Sequence, residues 1–283
     1  MSSLYETVKF LTSLNPARSH ENTDSLDKAA EFIKSKFQEY SLECELQEYS
    51  ARDRNYKNII GSINTHFDKR LIIGAHYDVC GEMQGADDNA SGIAGLLECA
   101  RLLSLVKDKL NFRVDFVAYT LEEPPYFYTE KMGSYIHAKS LKDQDVTVIG
   151  MINFEMIGYF TDKPNSQSYP VASMRLVYPS AGDFIAVVGD MSSSALVGSV
   201  AKYMQKHIKT VSLSLPQTMS DITRSDHMNY WKFGYNAVMI TDTADFRNPN
   251  YHKKSDTIDT LNFEKIKAIA DGCVEAVVNI GQI

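Results

Sequence analysis

Two histidines and several carboxylates stand at the ends of apolar runs. They are His76 and Asp78 in IIGAHYD, Asp88 in GADDNASG, Glu122 and Glu123 in AYTLEEPP, Glu155 in MINFEMIGY, and His252 in NPNYHKKSDTID. Imidazoles and carboxylates in this number are the ligand set of a hydrolytic two-metal site, with one acid left over to act as base. Acids that converge repel one another unless cations sit between them. The chemistry implied is metal-assisted hydrolysis.

Each motif supports part of that reading. Residues i and i+2 of a strand share a face, so Asp78 is expected to accept a hydrogen bond from the His76 ring nitrogen that faces away from the metal. Such a bond fixes the tautomer and raises ligand basicity. In GADDNASG, Asp88 can place its two oxygens on two cations, and Ala86, Ala90, Ser91 and Gly92 permit close approach. The same residues also read as an N-cap turn, because Asp, Asn and Ser cap helices well. In the Glu122–Glu123 pair, one carboxylate ligates a metal while its neighbour takes a proton from water that the metal has made acidic. His252 is the late ligand, preceded by Tyr251 and followed by Asp256 and Asp259. His227 in TRSDHMNYW is expected to back the site, and His20, His66, His137 and His207 to lie at the surface.

The elements that must position these groups alternate. Apolar residues at helical spacing predict helices over 25–40, 89–107, 192–207 and 262–280. Short apolar runs predict strands over 58–63, 70–76, 112–120, 148–154, 184–188 and 236–241. Strands separated by helices imply an α/β fold, a mostly parallel or mixed sheet covered on both faces. Ligands in such folds bind beyond the carboxyl ends of the strands, where His76, Glu122, Glu123 and Glu155 all fall. The loop 161–182 carries three of the eight prolines and is read as lying over the site, with a plain surface insertion as the alternative.

Composition narrows the classes. The chain has 283 residues, 44% of them apolar, enough for one α/β domain over 1–283. A net charge of −7 without a Lys/Arg cluster argues against nucleic-acid and anionic-membrane partners. None of the four cysteines forms a CxxC pair, so buried thiols are expected rather than a structural zinc. No stretch approaches the roughly 18 apolar residues of a membrane span, and the N-terminus lacks a continuous apolar region. The chain as it stands reads as cytoplasmic, with export after loss of a signal peptide as the alternative. Oligomeric state is left open.

Taken in order, HYD, GADDNASG, LEE, FEMIG, SDHMNYWKFGYNAVMITD and YHKKSDTID resemble the motifs of the family-28 metallopeptidases. These are co-catalytic zinc aminopeptidases of the bacterial leucyl aminopeptidase type, with glutamate carboxypeptidase II, the transferrin receptor and glutaminyl cyclase as more distant relatives. The resemblance covers roughly residues 24–280 and implies a three-layer α/β/α sandwich with a central mixed, mostly parallel sheet. It implies two zinc ions per chain: His76 with Glu155 on one, Glu123 with His252 on the other, and Asp88 bridging them. By the same resemblance Glu122 is the general base, Tyr251 stabilises the oxyanion and Arg224 contacts the substrate backbone. Peptides are the implied substrates and removal of N-terminal residues the implied reaction, the acidic site holding the free ammonium through Glu122 and Glu155. A carboxypeptidase, a one-zinc glutaminyl-cyclase-like acyltransferase and an inactive binding homologue are the alternatives on the same fold. The chain departs from the family pattern in two places. Glu155 stands where the family usually has Asp, and PPYFYTEKMGS replaces a glycine-rich sequence. There Pro124 and Pro125 stiffen the chain, and Tyr126, Phe127 and Tyr128 either line a substrate pocket or join the core.

Overall fold

Leu71, Ile73 and Ala75 point into one apolar core and Ile72 into another, the period of two that makes a strand two-faced. The computed structural model describes residues 3–280. Its strands are β1 (Glu43–Ala51), β2 (Arg54–Ile63), β3 (Arg70–His76), β4 (Arg113–Tyr119), β5 (Val148–Glu155), β6 (Ile185–Asp190), β7 (Thr210–Leu215) and β8 (Ala237–Thr241). They form a mixed sheet in the order β1-β2-β4-β3-β5-β8-β6-β7. The central neighbours β4, β3, β5 and β8 all run parallel, so their carboxyl ends share one edge. β1, β2 and β6 join through antiparallel pairings.

Helices cover both faces, as the alternating pattern requires. They are α1 (Ser3–Thr12), α2 (Thr23–Glu39), α3 (Gly92–Ser104), α4 (Gly133–Asp143), α5 (Ser194–Met204), α6 (His227–Lys232) and α7 (Phe263–Ile280). The larger core takes side chains from α1, α2, α3, α5 and α7. The smaller lies on the opposite face, under α4 and α6. On α7, Ile266, Ile269, Cys273 and Val277 are fully buried at helical spacing, each large apolar side chain contributing about 2 kcal/mol. Cys99 on α3 is buried against the same helix, its thiol 3.7 Å from the Ala270 carbonyl. Among the described residues no helix is long and apolar enough to cross a membrane.

Every strand and helix expected from the sequence is present, and among the described residues five further strands and α-helices appear. β1 and β7 are half-exposed edge strands whose sequences mix polar and apolar residues. α1 precedes the first expected helix, while α4 and α6 are short and carry few apolar residues for a periodicity to register.

His137 corrects the sequence reading. It is buried rather than at the surface, because its place on α4 faces the smaller core, where Nδ1 lies 2.7 Å from the Tyr230 hydroxyl. His227 is also buried, and its Nε2–H donates to the Ile222 carbonyl at 2.7 Å. Burial pushes both imidazoles down to about 4, so they are neutral in the fold while the unfolded chain protonates them near 6.5. The unfolded state therefore binds more protons between those values. This stability is fully present above about pH 6.5 and lost as pH falls toward 4. In His227→Gln the unfolding midpoint should fall less steeply than in the parent between pH 7 and 4.5. Equal slopes in thermal melts would refute the assignment.

Candidate metal centre

β3 ends on His76 and the chain continues to Asp78, both fully buried. The expected hydrogen bond between them is not made: Asp78 Oδ1 lies 3.7 Å from His76 Nδ1, too far for one. Asp78 instead accepts the backbone N–H groups of Glu122 at 3.2 Å and Glu123 at 3.1 Å. Leu121 takes a left-handed conformation, φ 61°, and the two amides that follow converge on one carboxylate. Asp78 thus fixes the glutamate pair rather than the imidazole.

Asp88 sits in a wide helical turn over Ala86–Ser91. Gly85 before it has φ +59°, and a Cβ there would lie 2.2 Å from the Asp88 carbonyl oxygen, so only glycine fits. The Asp256 carboxylate accepts the N–H groups of Asp87 and Asp88 at 2.9 and 3.1 Å. Asp87 turns away, accepting from Gly158 at 2.8 Å and Asn248 at 2.6 Å. Asp88 turns inward with one oxygen toward each histidine: Oδ1 is 3.4 Å from His76 Nε2, and Oδ2 is 3.1 Å from His252 Nε2.

Two more acids complete the set. Glu155, closing β5, places Oε2 3.3 Å from His76 Nε2, and Glu123 places Oε2 3.2 Å from His252 Nε2. The extra methylene of Glu155 therefore still delivers a donor to the centre. Glu122 stands slightly back, 3.9 Å from His76 Nε2. Donor atoms of His76, Asp88 and Glu155 all lie within 4.8 Å of one another, as do those of Cys80, Glu123 and His252. Both ring nitrogens of His76 and Oε1 of Glu123 are buried with no hydrogen-bond partner. Orphaned buried donors are costly, and cations would satisfy them, so these residues fit a metal pair.

The electrostatics agree. Burial works against charge on His76 and His252, yet the surrounding carboxylates raise the first well above its ordinary value and the second to about 11. The same imidazoles hold Asp88 well below the usual carboxylate range despite its burial. Burial and Asp88 push Glu123 up to about 7. Glu122 is driven well above the ordinary glutamate value, by burial first and also by Glu155 and Glu123, with His76 opposing. Each of these shifts sets neighbours of opposite charge against burial.

Tyr251 stacks on the His252 ring at 4.0 Å, and burial keeps its phenol well above the ordinary tyrosine value. Arg224 reaches the Tyr251 hydroxyl at 3.4 Å and pairs with Asp245 at 2.8 Å. Arg224, Tyr251 and Glu155 line an open cavity walled by apolar side chains including Phe184, Val188, Leu213 and Met239. Gln167, Ser168, Tyr169, Pro170 and Met174 also line it, so loop 161–182 lies over this space. The PPYFY aromatics lie elsewhere. Tyr126 is buried against Tyr56 and His20, and the half-exposed Tyr128 exchanges a hydrogen bond with Thr223 at 3.0 Å.

Two supporting residues were not legible. Arg18, wholly buried, holds the loop between His76 and Asp88 through the carbonyls of Tyr77, Gln84 and Gly85. Ser225 donates to Glu155 Oε2 at 2.6 Å and accepts from Asn153 at 2.7 Å. His227, two residues on, points to Ile222 and Trp231 instead, so the support expected of it falls to Ser225. Ser225→Ala should weaken metal retention roughly tenfold, since removing a group that orients a ligand costs 10- to 100-fold. Zinc content after dialysis against graded chelator checks this, and unchanged retention would contradict it.

The model of peptidase family M28 matches residues 58–277. The chain belongs to peptidase family M28. Membership places it among peptidases and agrees with the ordered motifs. The uncharacterized protein YfbL of Escherichia coli K12 is 41% identical over 286 residues, covering 98% of this chain and 87% of that one. Leucine aminopeptidase 1 of Arthroderma otae is 27% identical over 222 residues, 73% of this chain. The chain spans about half (53%) the length of that relative. Among solved structures, the LapA aminopeptidase of Legionella pneumophila superposes with TM-score 0.77 at 21% identity, over 99% of this chain and 72% of that one. A glutaminyl cyclase of Bacteroides thetaiotaomicron gives 0.72 at 19% identity, over 98% and 97%. These two likenesses show the M28 fold.

Proposed function

We propose that this protein is a co-catalytic dinuclear zinc aminopeptidase that removes large apolar residues from the N-termini of peptides. The observation that carries the reading is the join between the five-donor centre and the apolar cavity, which meet at Glu155 and Tyr251. One cation would be held by His76 and Glu155, the other by Glu123 and His252, with an oxygen of Asp88 on each. Bound zinc supplies Lewis acidity, polarising the scissile carbonyl and acidifying water.

The protein's own groups do the rest. Glu122, not needed as a ligand, accepts the proton of the attacking water and passes it to the leaving amine. Asp78 keeps that carboxylate in place by holding the backbone of both glutamates. Tyr251, protonated by virtue of its burial, donates to the developing oxyanion. Arg224, beside it, contacts the substrate backbone. The substrate's ammonium group finds counter-charge at Glu122 and Glu155, and its side chain enters the cavity among Phe184, Val188 and Met239.

The test is a panel of leucyl, phenylalanyl, alanyl and aspartyl amides, each free and N-acetylated, with chelator and with zinc restored. Cleavage confined to free-amino leucyl and phenylalanyl substrates, abolished by chelator and regained with zinc, is expected. Equal cleavage of acetylated substrates would overturn the aminopeptidase reading. Cyclisation of N-terminal glutamine without peptide cleavage would replace it with the acyltransferase chemistry named for the Bacteroides neighbour.

A further inference from the structure

Among the described residues, Cys80 is a donor near the centre that the family motifs do not account for. It lies between Asp78 and Gly85, on the loop that Arg18 clamps through the carbonyls of Tyr77, Gln84 and Gly85. Its thiol is half-buried and free, and its Sγ falls within 4.8 Å of donor atoms of both Glu123 and His252. Cys80, Asp88, Glu123 and His252 line the same small crevice. A second observation points the same way: Glu123, 3% exposed, has an oxygen with no hydrogen-bond partner. That acid therefore has capacity for a cation.

We infer that Cys80 is a fourth protein ligand to the cation held by His252, Glu123 and Asp88, making the two metal sites chemically unequal. The inference rests on the dinuclear reading above. The site built on His252 has two carboxylates, an imidazole and a thiolate, a complete four-donor set of the kind that closes a zinc site. The site built on His76 has three donors, His76, Asp88 and Glu155, and keeps a position free, as hydrolytic zinc sites do. The open site is also the one beside the apolar cavity, since Glu155 lines that cavity and Cys80 does not. A thiolate donor favours softer cations such as zinc and cobalt over manganese and magnesium, so the closed site should fill first.

The experiment titrates the metal-free chain with Co2+ while recording its absorption. Any nitrogen–oxygen site gives weak visible bands, whereas only a thiolate ligand adds strong charge-transfer absorption in the near ultraviolet. That band should grow with the first equivalent and stay level through the second. It should be lost in Cys80→Ser and in Cys80→Ala, which retain the visible bands. Visible bands without the near-ultraviolet one in the parent would overturn the ligand role while leaving the metal centre standing. A band that persists in both variants would do the same, since it would belong to another thiol. No cobalt binding at all would overturn the inference and the dinuclear reading together.

Discussion

Glu122→Gln is expected to lower kcat by about 1,000-fold, within the 100- to 10,000-fold range of a lost general base, while zinc content stays at the parental level. The substitution preserves volume and removes only the proton acceptor. It also leaves the local backbone intact, because Asp78 binds the N–H groups of Glu122 and Glu123 rather than their side chains. Glu122 lies 3.9 Å from a histidine, against 3.1–3.4 Å for the contacts of Asp88, Glu123 and Glu155, so the metal sites keep their donors. Steady-state hydrolysis of leucyl amide, paired with elemental analysis, decides the matter. Turnover within tenfold of the parent would move the base elsewhere; lost zinc would make Glu122 a ligand.

The second large effect lies away from the chemistry. Arg18→Met should cost about 3 kcal/mol of stability or more and loosen metal binding with it. The guanidinium donates to four carbonyls, those of Leu11, Tyr77, Gln84 and Gly85, at 2.6–3.2 Å. Methionine fills the volume but donates to none, and each buried carbonyl left unpaired costs about 1–3 kcal/mol. Burial lowers the Arg18 pKa to about 10 against the pull of Asp256, Asp88, Asp78 and Glu123, which leaves the group charged at neutral pH. Its positive charge therefore also offsets the acids when no cation is bound. Arg18→Lys should not rescue, because one ammonium cannot reach four acceptors in a fork. Denaturant midpoints at constant m-value measure the loss; a change under about 1 kcal/mol would refute the role.

The sequence carried the centre better than its supports, for a physical reason. His76, Glu155 and the Glu122–Glu123 pair follow apolar strands, so hydrophobic pattern and strand-end chemistry coincide in one readable signal. The choice of Asp88 over Asp87 rests on more than local sequence, since opposite orientations of adjacent residues depend on the Asp256 carboxylate and on Gly85. Arg18 and Ser225 carry no pattern at all. One is an isolated cation in a polar N-terminal stretch, and its partners are backbone carbonyls, which every residue has. The edge strands β1 and β7 were hidden by the half-exposure that lets them end a sheet. His137 was misplaced because one imidazole on a short helix gives no sign of which way it faces. The Asp78–His76 hydrogen bond failed for a similar reason: period-two placement puts two side chains on a face but does not set the distance between them.

Asp256 and the two amides it holds are separated by 168 and 169 positions in the chain. That span has a meaning for biosynthesis. During synthesis the residues around Asp88 emerge long before the segment bearing Asp256 and His252, so early intermediates carry the acids without the groups that arrange them. On the dinuclear reading, capture of the second cation would be deferred until the C-terminal part of the chain has docked. Metal retention would then be a record of a finished chain as well as a condition for chemistry.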